Sequence, residues 1–341
     1  MHRYKALALQ VTCQAVNKAK SRAKAEAIML ATIKRIDDQV KASKTFIGPD
    51  TKLVVLPEYF LTGFPMGESL EHWAKKACVA PGGVVYEALA AVANRNQVFL
   101  SGNLYELDEH FPDLYFQTSF ILDDTGNIIL RYRRLNSMFA PTPHDVWDRY
   151  LDVYGLEAVY PVAKTAIGNL ACIASEEILY PEIARCLMMR GAELFLHSSS
   201  EIGSPLLTQK NVAKMARSIE NMAYVVSANS AGIADIDIPF SSTDGGSKVI
   251  NYEGLVLAEA SPGESIVAHA TVDLEALWHH RQRVAMSNYI ARQRFELYAD
   301  SYAQHRFYPP NSISKNPDFS KKDFVGIQAK VIQKLSDDAI I

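Results

Sequence analysis

Short apolar runs that stop at turn residues alternate, through most of these 341 residues, with stretches whose apolar positions recur at helical spacing. That alternation constrains the fold more than any other feature, because strand–helix–strand succession is the pattern of layered α/β architecture. Residues 5–12 read as a buried strand. Residues 21–42 carry Ile28, Ile33, Ile36 and Val40 near helical spacing with charges between them. Residues 52–56 form a short strand that stops at Pro57-Glu58, and 97–106 and 114–122 are further strands. Asp123-Asp124-Thr125-Gly126-Asn127 has turn chemistry and leads into a strand over 128–133, which predicts an antiparallel hairpin.

An irregular segment, 141–154, follows, and then the alternation resumes. It gives a strand at 165–174 and a helix at 181–190 with Pro181 in its first turn. A strand at 194–197, a helix at 208–221 and a strand at 223–229 come next. A hairpin over 248–258 and a closing strand at 266–272 complete the series. From about Arg292 the pattern becomes tail-like, and Tyr308-Pro309-Pro310-Asn311 excludes regular structure there. No repeat or low-complexity segment interrupts the chain. The economical organisation is one domain over 1–291 with a C-terminal extension over 292–341.

The net charge of −3 gives no reason to expect nucleic acid or an anionic membrane as partner. No apolar run is long enough for a spanning helix. The first residues lack the features of a signal peptide, so a cytoplasmic location is expected. Cys13, Cys78, Cys172 and Cys186 are scattered, without Cys-x-x-Cys or Cys/His clusters, which predicts free thiols. His279-His280 reads as a surface pair with no third ligand. Neither a metal nor another cofactor is expected.

Four segments carry the chemistry, in order. The first strand-to-turn unit ends Val55-Leu56-Pro57-Glu58-Tyr59-Phe60, and the second is Tyr132-Arg133-Arg134-Leu135-Asn136. The third runs from Ile167-Gly168 through Cys172-Ile173-Ala174-Ser175-Glu176-Glu177 to Tyr180-Pro181-Glu182-Ile183-Ala184-Arg185. The fourth is Arg217-Ser218-Ile219-Glu220-Asn221 with Asn229 beyond it. Gly245-Gly246-Ser247 and Tyr252-Glu253-Gly254 follow. Together these resemble the nitrilase, or carbon–nitrogen hydrolase, superfamily, amidase-like branch. The resemblance covers most of residues 5–298. It implies a four-layer α-β-β-α sandwich, assembled as a homodimer or larger oligomer, with C-terminal extensions that reach across the interface.

In that family a Cys thiolate attacks a nitrile or amide carbon, a Glu serves as base and then acid, and a Lys stabilises the oxyanion. Position by position, the Glu falls on Glu58, the Lys on Arg134 and the Cys on Ser175. Only the Glu matches. A serine hydroxyl is far less acidic than a thiol and ordinarily needs His or Lys to take its proton. An arginine cannot release a proton at ordinary pH and favours bidentate contact with a planar anion. Both changes move the site away from nucleophilic attack and toward holding a carboxylate or its mimic. A register in which Cys172 is the nucleophile would need extra residues before Pro181. It would also turn the thiol to the face opposite Ser175, so Cys172 is read as core.

Around this trio, Glu176 and Glu177 read either as acid/base or polar substrate contacts or as carboxylates favoured near a helix N-terminus. Glu177 stands where the family has an Asp after its Cys. His144 or Asp145 could replace a second Glu of the family, with helix capping the rival role for Asp145. Ser199 and Glu201, in Ser198-Ser199-Ser200-Glu201, are ligand contacts or part of a capped turn. Three functions stay open. One is a protein that binds a small amide- or carboxylate-bearing ligand with weak or no hydrolysis. Another is an active amidase that uses Ser175 as nucleophile, Glu58 as base and Arg134 at the oxyanion. The third is acid–base chemistry by Glu58 without a covalent intermediate.

Overall fold

A computed structural model describes residues 2–202, 207–313 and 319–341. The strands are β1 (Arg3–Ala8), β2 (Thr12–Gln14), β3 (Thr51–Val55), β4 (Phe99–Leu107), β5 (Tyr115–Leu122), β6 (Ile128–Arg133), β7 (Ala163–Thr165), β8 (Gly168–Ala174), β9 (Leu194–Ser199), β10 (Tyr224–Asn229), β11 (Gly232–Ala234), β12 (Lys248–Ile250), β13 (Val256–Glu259) and β14 (His269–Asp273). The α-helices are α1 (Arg22–Ile47), α2 (Leu70–Ala77), α3 (Val84–Asn96), α4 (Trp147–Tyr154), α5 (Pro181–Met189), α6 (Gln209–Asn221), α7 (Leu274–Gln282), α8 (Glu296–Gln304) and α9 (Lys321–Asp337).

The strands form two six-stranded sheets, ordered β14-β1-β3-β4-β5-β6 and β13-β12-β10-β9-β8-β7, with β11 and β2 as a small separate pair. Residues of both sheets, among them Ala6, Val55, Tyr132, Cys172, Leu196 and Val226, share one buried core. A second core joins the outer face of the first sheet to α1, α2 and α3 through Leu7, Val54, Leu100, Ile33, Trp73 and Leu89. Helices α5 and α6 cover the second sheet, which completes α-β-β-α layering.

Helix α1 starts where Ser21 Oγ accepts from the Lys24 amide, and it buries Ala25, Met29, Ile33, Ile36 and Val40 as one stripe. It runs five residues past the expected end because the stripe continues to Ile47, where Gly48 at φ 134° turns the chain. The single strand expected at 165–174 is instead the β7–β8 hairpin, in which Thr165 pairs with Gly168 at φ 109°. The segment 141–154 is not irregular throughout. Asp145 caps a short 3-10 turn by accepting from Thr142 N (2.9 Å) and Thr142 Oγ1 (2.7 Å), and α4 follows. The tail carries two helices, α8 and α9, on either side of the Pro-Pro break. Part of it docks on its own chain, because Ile313, Phe319 and Phe324 share a third core with Phe111, Phe116 and Tyr150. Among the described residues no helix is long and apolar enough to cross a membrane.

Topology decides where the site lies. Strand β3 runs parallel to β4, β4 antiparallel to β5, and β5 antiparallel to β6, so β3 and β6 end on the same edge of the first sheet. In the second sheet β8, β9 and β10 are mutually parallel. The two edges meet where Glu58 N donates to Ser199 O (3.2 Å) and Ser198 Oγ donates to Leu56 O (2.7 Å). Loops after the C-terminal ends of parallel strands therefore converge at one place.

Candidate active site

Glu58 follows β3 and is almost fully buried (1% exposed). Its Oε1 accepts from Gln117 Nε2 (2.7 Å) and Arg134 Nη1 (3.2 Å), while Oε2 is buried without a hydrogen-bond partner among the described residues. Gln117, on β5, also donates to Asn103 Oδ1 (2.9 Å) and accepts from Arg134 Nη1 (2.7 Å). Sequence reasoning missed Gln117. The available signal was an amide in the middle of an otherwise largely apolar strand.

Arg134 follows β6, and each of its three nitrogens donates to a protein acceptor. Nε bonds Asn136 O (2.6 Å), Nη1 bonds Glu58 and Gln117, and Nη2 bonds Glu176 Oε1. Burial opposes the charge on the guanidinium, but Tyr59, Glu58, Glu176 and Glu177 outweigh it and raise its pKa. The carboxylates beside Arg134 are those of the chain itself.

Ser175 follows β8 in a left-handed conformation (φ 49°), an uncommon one for a non-glycine residue. The structure shows what holds it. His197 Nε2 donates to the Ser175 carbonyl (2.8 Å) while His197 Nδ1 accepts from Ser227 Oγ (2.8 Å). Burial, with Lys214 adding to it, pulls the His197 pKa down to about 3, so this ring is neutral. Its protonated nitrogen is committed to the backbone, and it makes no bond to Ser175 Oγ. That hydroxyl instead lies 3.4 Å from Lys210 Nζ, on the first turn of α6. No direct hydrogen bond joins Ser175 to Glu58 or Arg134 among the described residues.

The two glutamates after Ser175 do different things. Glu176 is about a third exposed and pairs with Arg134. Glu177 is fully buried and accepts from Leu135 N (2.7 Å), Asn136 N (2.9 Å) and Tyr132 Oη (2.7 Å). It ties the end of β6 to the turn after β8. Burial pushes its pKa up to about 7, against the opposing pull of Arg134, Tyr132 and the two amides.

Ser199 ends β9 with a buried Oγ that has no hydrogen-bond partner among the described residues. Glu201 sits between two lysines, Lys214 and Lys210, the latter at 3.5 Å. Burial alone would raise its pKa, yet Lys214 and Lys210 hold it down at about 2. Asn229 fixes the Glu201 backbone, accepting from its amide (2.9 Å) and donating to its carbonyl (2.9 Å). Arg217 Nε bonds Ile178 O (3.0 Å), so the fourth sequence segment anchors α6 to the turn after Ser175.

His144 stands apart from this cluster. It packs against Trp147 and Tyr308, and its carbonyl accepts from Asn311 N (2.9 Å). It lines an outer cleft of ≈ 940 Å³ with Glu176, Tyr180, Tyr160 and Tyr308. Asp145 serves as the cap described above and accepts from Ser312 Oγ (2.6 Å). Cys172 lies between the sheets 3.7 Å from Ser101 Oγ, and burial pushes its thiol up to about 12, the setting of a core residue. The other cysteines are also free.

A family model described as carbon-nitrogen hydrolase matches residues 11–282. The omega-amidase NIT3 of Saccharomyces cerevisiae is 25% identical over 255 residues, 74% of this chain and 84% of that protein. The 2-oxoglutaramate amidase of Bacillus subtilis is 25% identical over 271 residues, 76% of this chain and 93% of that protein. Among solved structures, Nit3 of Saccharomyces cerevisiae, a member of branch 10 of the nitrilase superfamily, aligns with a TM-score of 0.65 at 22% identity. That alignment covers 84% of this chain and 95% of Nit3. An amidase from Nesterenkonia sp. aligns with a TM-score of 0.61 at 19% identity, over 87% and 96% of the two chains.

Proposed function

The chain belongs to the carbon–nitrogen hydrolase family, and from that premise we propose that Glu58, Arg134 and Ser175 form an altered catalytic site that binds a small amide- or carboxylate-bearing ligand and hydrolyses it weakly or not at all. One observation carries this reading. Arg134 is engaged through every nitrogen by Glu58, Gln117, Asn136 and Glu176, while Ser175 Oγ has no hydrogen bond to the carboxylate that would have to deprotonate it. A hydroxyl with no hydrogen bond to its catalytic carboxylate is a poor nucleophile. A guanidinium already paired with two carboxylates has little left to offer a developing oxyanion.

Binding is the task the remaining groups suit. Among the described residues Glu58 Oε2 is a buried acceptor without a donor, and Ser199 Oγ is a second buried polar atom without a partner. An amide N–H on Glu58 Oε2 would remove one of these deficits. The relatives named amidases support the amide as ligand class. Glu176, His144 and the aromatic cleft around them would receive the rest of the ligand, and the extension over 292–341 supplies one wall of that cleft through Tyr308. We further propose a homo-oligomer to which the extension contributes, in keeping with its exposed Leu297, Tyr298 and Tyr302.

A second reading, an active serine amidase, is favoured by the left-handed turn at Ser175, since such strain recurs at reacting residues. In it, Ser175 Oγ attacks the amide carbon, and its proton passes to Glu58 Oε2 and on to the departing ammonia. Water then cleaves the resulting ester. Calorimetric titration with propionamide and propionate, beside an assay of ammonia release from propionamide and 2-oxoglutaramate, separates the two readings. The altered-site reading expects binding with release near background, and a gain of activity in the Ser175→Cys, Arg134→Lys double variant. Rapid release by the wild type that Ser175→Ala abolishes would replace it with the second reading.

A further inference from the structure

We propose that Lys210 is the ligand-binding cation of this site, and that with Ser175 Oγ it forms the end that takes a carbonyl or carboxylate oxygen, while Arg134 acts as a strut. The inference deepens the amide–carboxylate reading above and rests on it. It follows from asking which donors near Ser175 are still available. Arg134 is spent on Glu58, Gln117, Asn136 and Glu176. His197 donates its one N–H to the Ser175 carbonyl. Lys214 is 1% exposed and is taken by Glu201, with Asn211 Oδ1 at 3.4 Å.

Lys210 differs from all three. Its contacts, 3.4 Å to Ser175 Oγ and 3.5 Å to Glu201 Oε2, are at the long limit of a hydrogen bond, so its protons are weakly engaged. Its side chain is about one-fifth exposed while Ser175 is buried, so the lysine joins a buried hydroxyl to a partly solvated side chain. Charge agrees with this. Two lysines face one carboxylate, Glu201, on this side, whereas two carboxylates, Glu58 and Glu176, face the single Arg134 on the other. An amide has the same polarity, with its oxygen suited to Lys210 and its N–H to Glu58 Oε2. A carboxylate suits the Lys210 end alone.

The test uses the full chain and calorimetric titration of propionate and propionamide into wild type, Lys210→Met, Lys210→Arg and Arg134→Lys, with circular dichroism to confirm that each variant is folded. Lys210→Met should weaken propionate binding by roughly tenfold or more, the loss of one charged hydrogen bond, and Lys210→Arg should recover most of it. If Lys210→Met binds propionate as the wild type does, the assignment of Lys210 is overturned while the ligand class stands. If the wild type binds neither probe, the amide–carboxylate reading itself fails. Crystals soaked in bromide then decide Lys210. An anomalous peak between its Nζ and Ser175 keeps it as an anion contact, and an empty position removes it.

Discussion

On the first-sheet side of the site, a guanidinium with little exposure lies locked between Glu58 and Glu176 and is braced by Gln117. On the second-sheet side, Lys210 reaches Ser175 and Glu201 only at the limit of hydrogen-bond distance, with part of its side chain in solvent. Both sides present a cation near the same strand ends, yet one is bound up in structure and the other is loosely held. The comparison teaches that a positively charged residue at a site is not for that reason a ligand contact. What its donors already hold decides the matter.

Removing Arg134 is the largest way to break this comparison. Arg134→Met would leave the buried Glu58 without its ion-pair partner, and the loss on chemical denaturation should be about 3–5 kcal/mol. A loss well under 1 kcal/mol would mean that the strut carries no load and that the two sides are alike.

The next effect is electrostatic. Glu177 joins the ends of β6 and β8, and its folded pKa of about 7 lies above the ordinary 4.5. A carboxyl raised in this way favours the folded state while it is protonated. That contribution is whole below pH 4.5, is lost as pH rises through 7, and stays lost above. Relative to Glu177→Gln, the wild type should therefore lose stability on the order of 3 kcal/mol between pH 4 and pH 8. Parallel stability curves for the two proteins would show that the Glu177 pKa is not raised and that its hydrogen bonds to Leu135, Asn136 and Tyr132 hold it ionised throughout.

The smallest effect sharpens the contrast. Lys210→Met should cost less than about 1 kcal/mol of stability, because its ion pair with Glu201 is long and Glu201 keeps Lys214. If melting curves show this variant to be as damaged as Arg134→Met, Lys210 is a structural residue as well.

These two sides also differ in how legible they were in the sequence. Glu58, Arg134 and Ser175 sit just beyond the ends of strands β3, β6 and β8, and it is the resemblance of those segments to the carbon–nitrogen hydrolase family that brings them forward. Glu177 was noticed for its position, though only the fold shows that it binds the amides of Leu135 and Asn136. Lys210 lies 35 residues from Ser175 and opens an ordinary amphipathic helix, where a lysine looks like any solvated charge. Its meaning arises only when α6 packs over the turn after β8, through Arg217 and Ile178. Gln117 was hidden for a related reason, since its partners come from β3, β4 and the end of β6. In the tail, Pro309 and Pro310 mask the helices on either side of them, and the docking of Ile313, Phe319 and Phe324 on Phe111, Phe116 and Tyr150 arises only from the fold.

The central claim is that Ser175 holds a ligand without becoming acylated. Intact-protein and peptide mass spectrometry of the wild type, after incubation with propionamide and acid quenching, tests it most directly. An unmodified Ser175 peptide is the expected result, with the same treatment of the Ser175→Cys, Arg134→Lys variant giving a propionyl thioester as positive control. A propionyl ester on Ser175 of the wild type would contradict the claim and make this site a serine amidase.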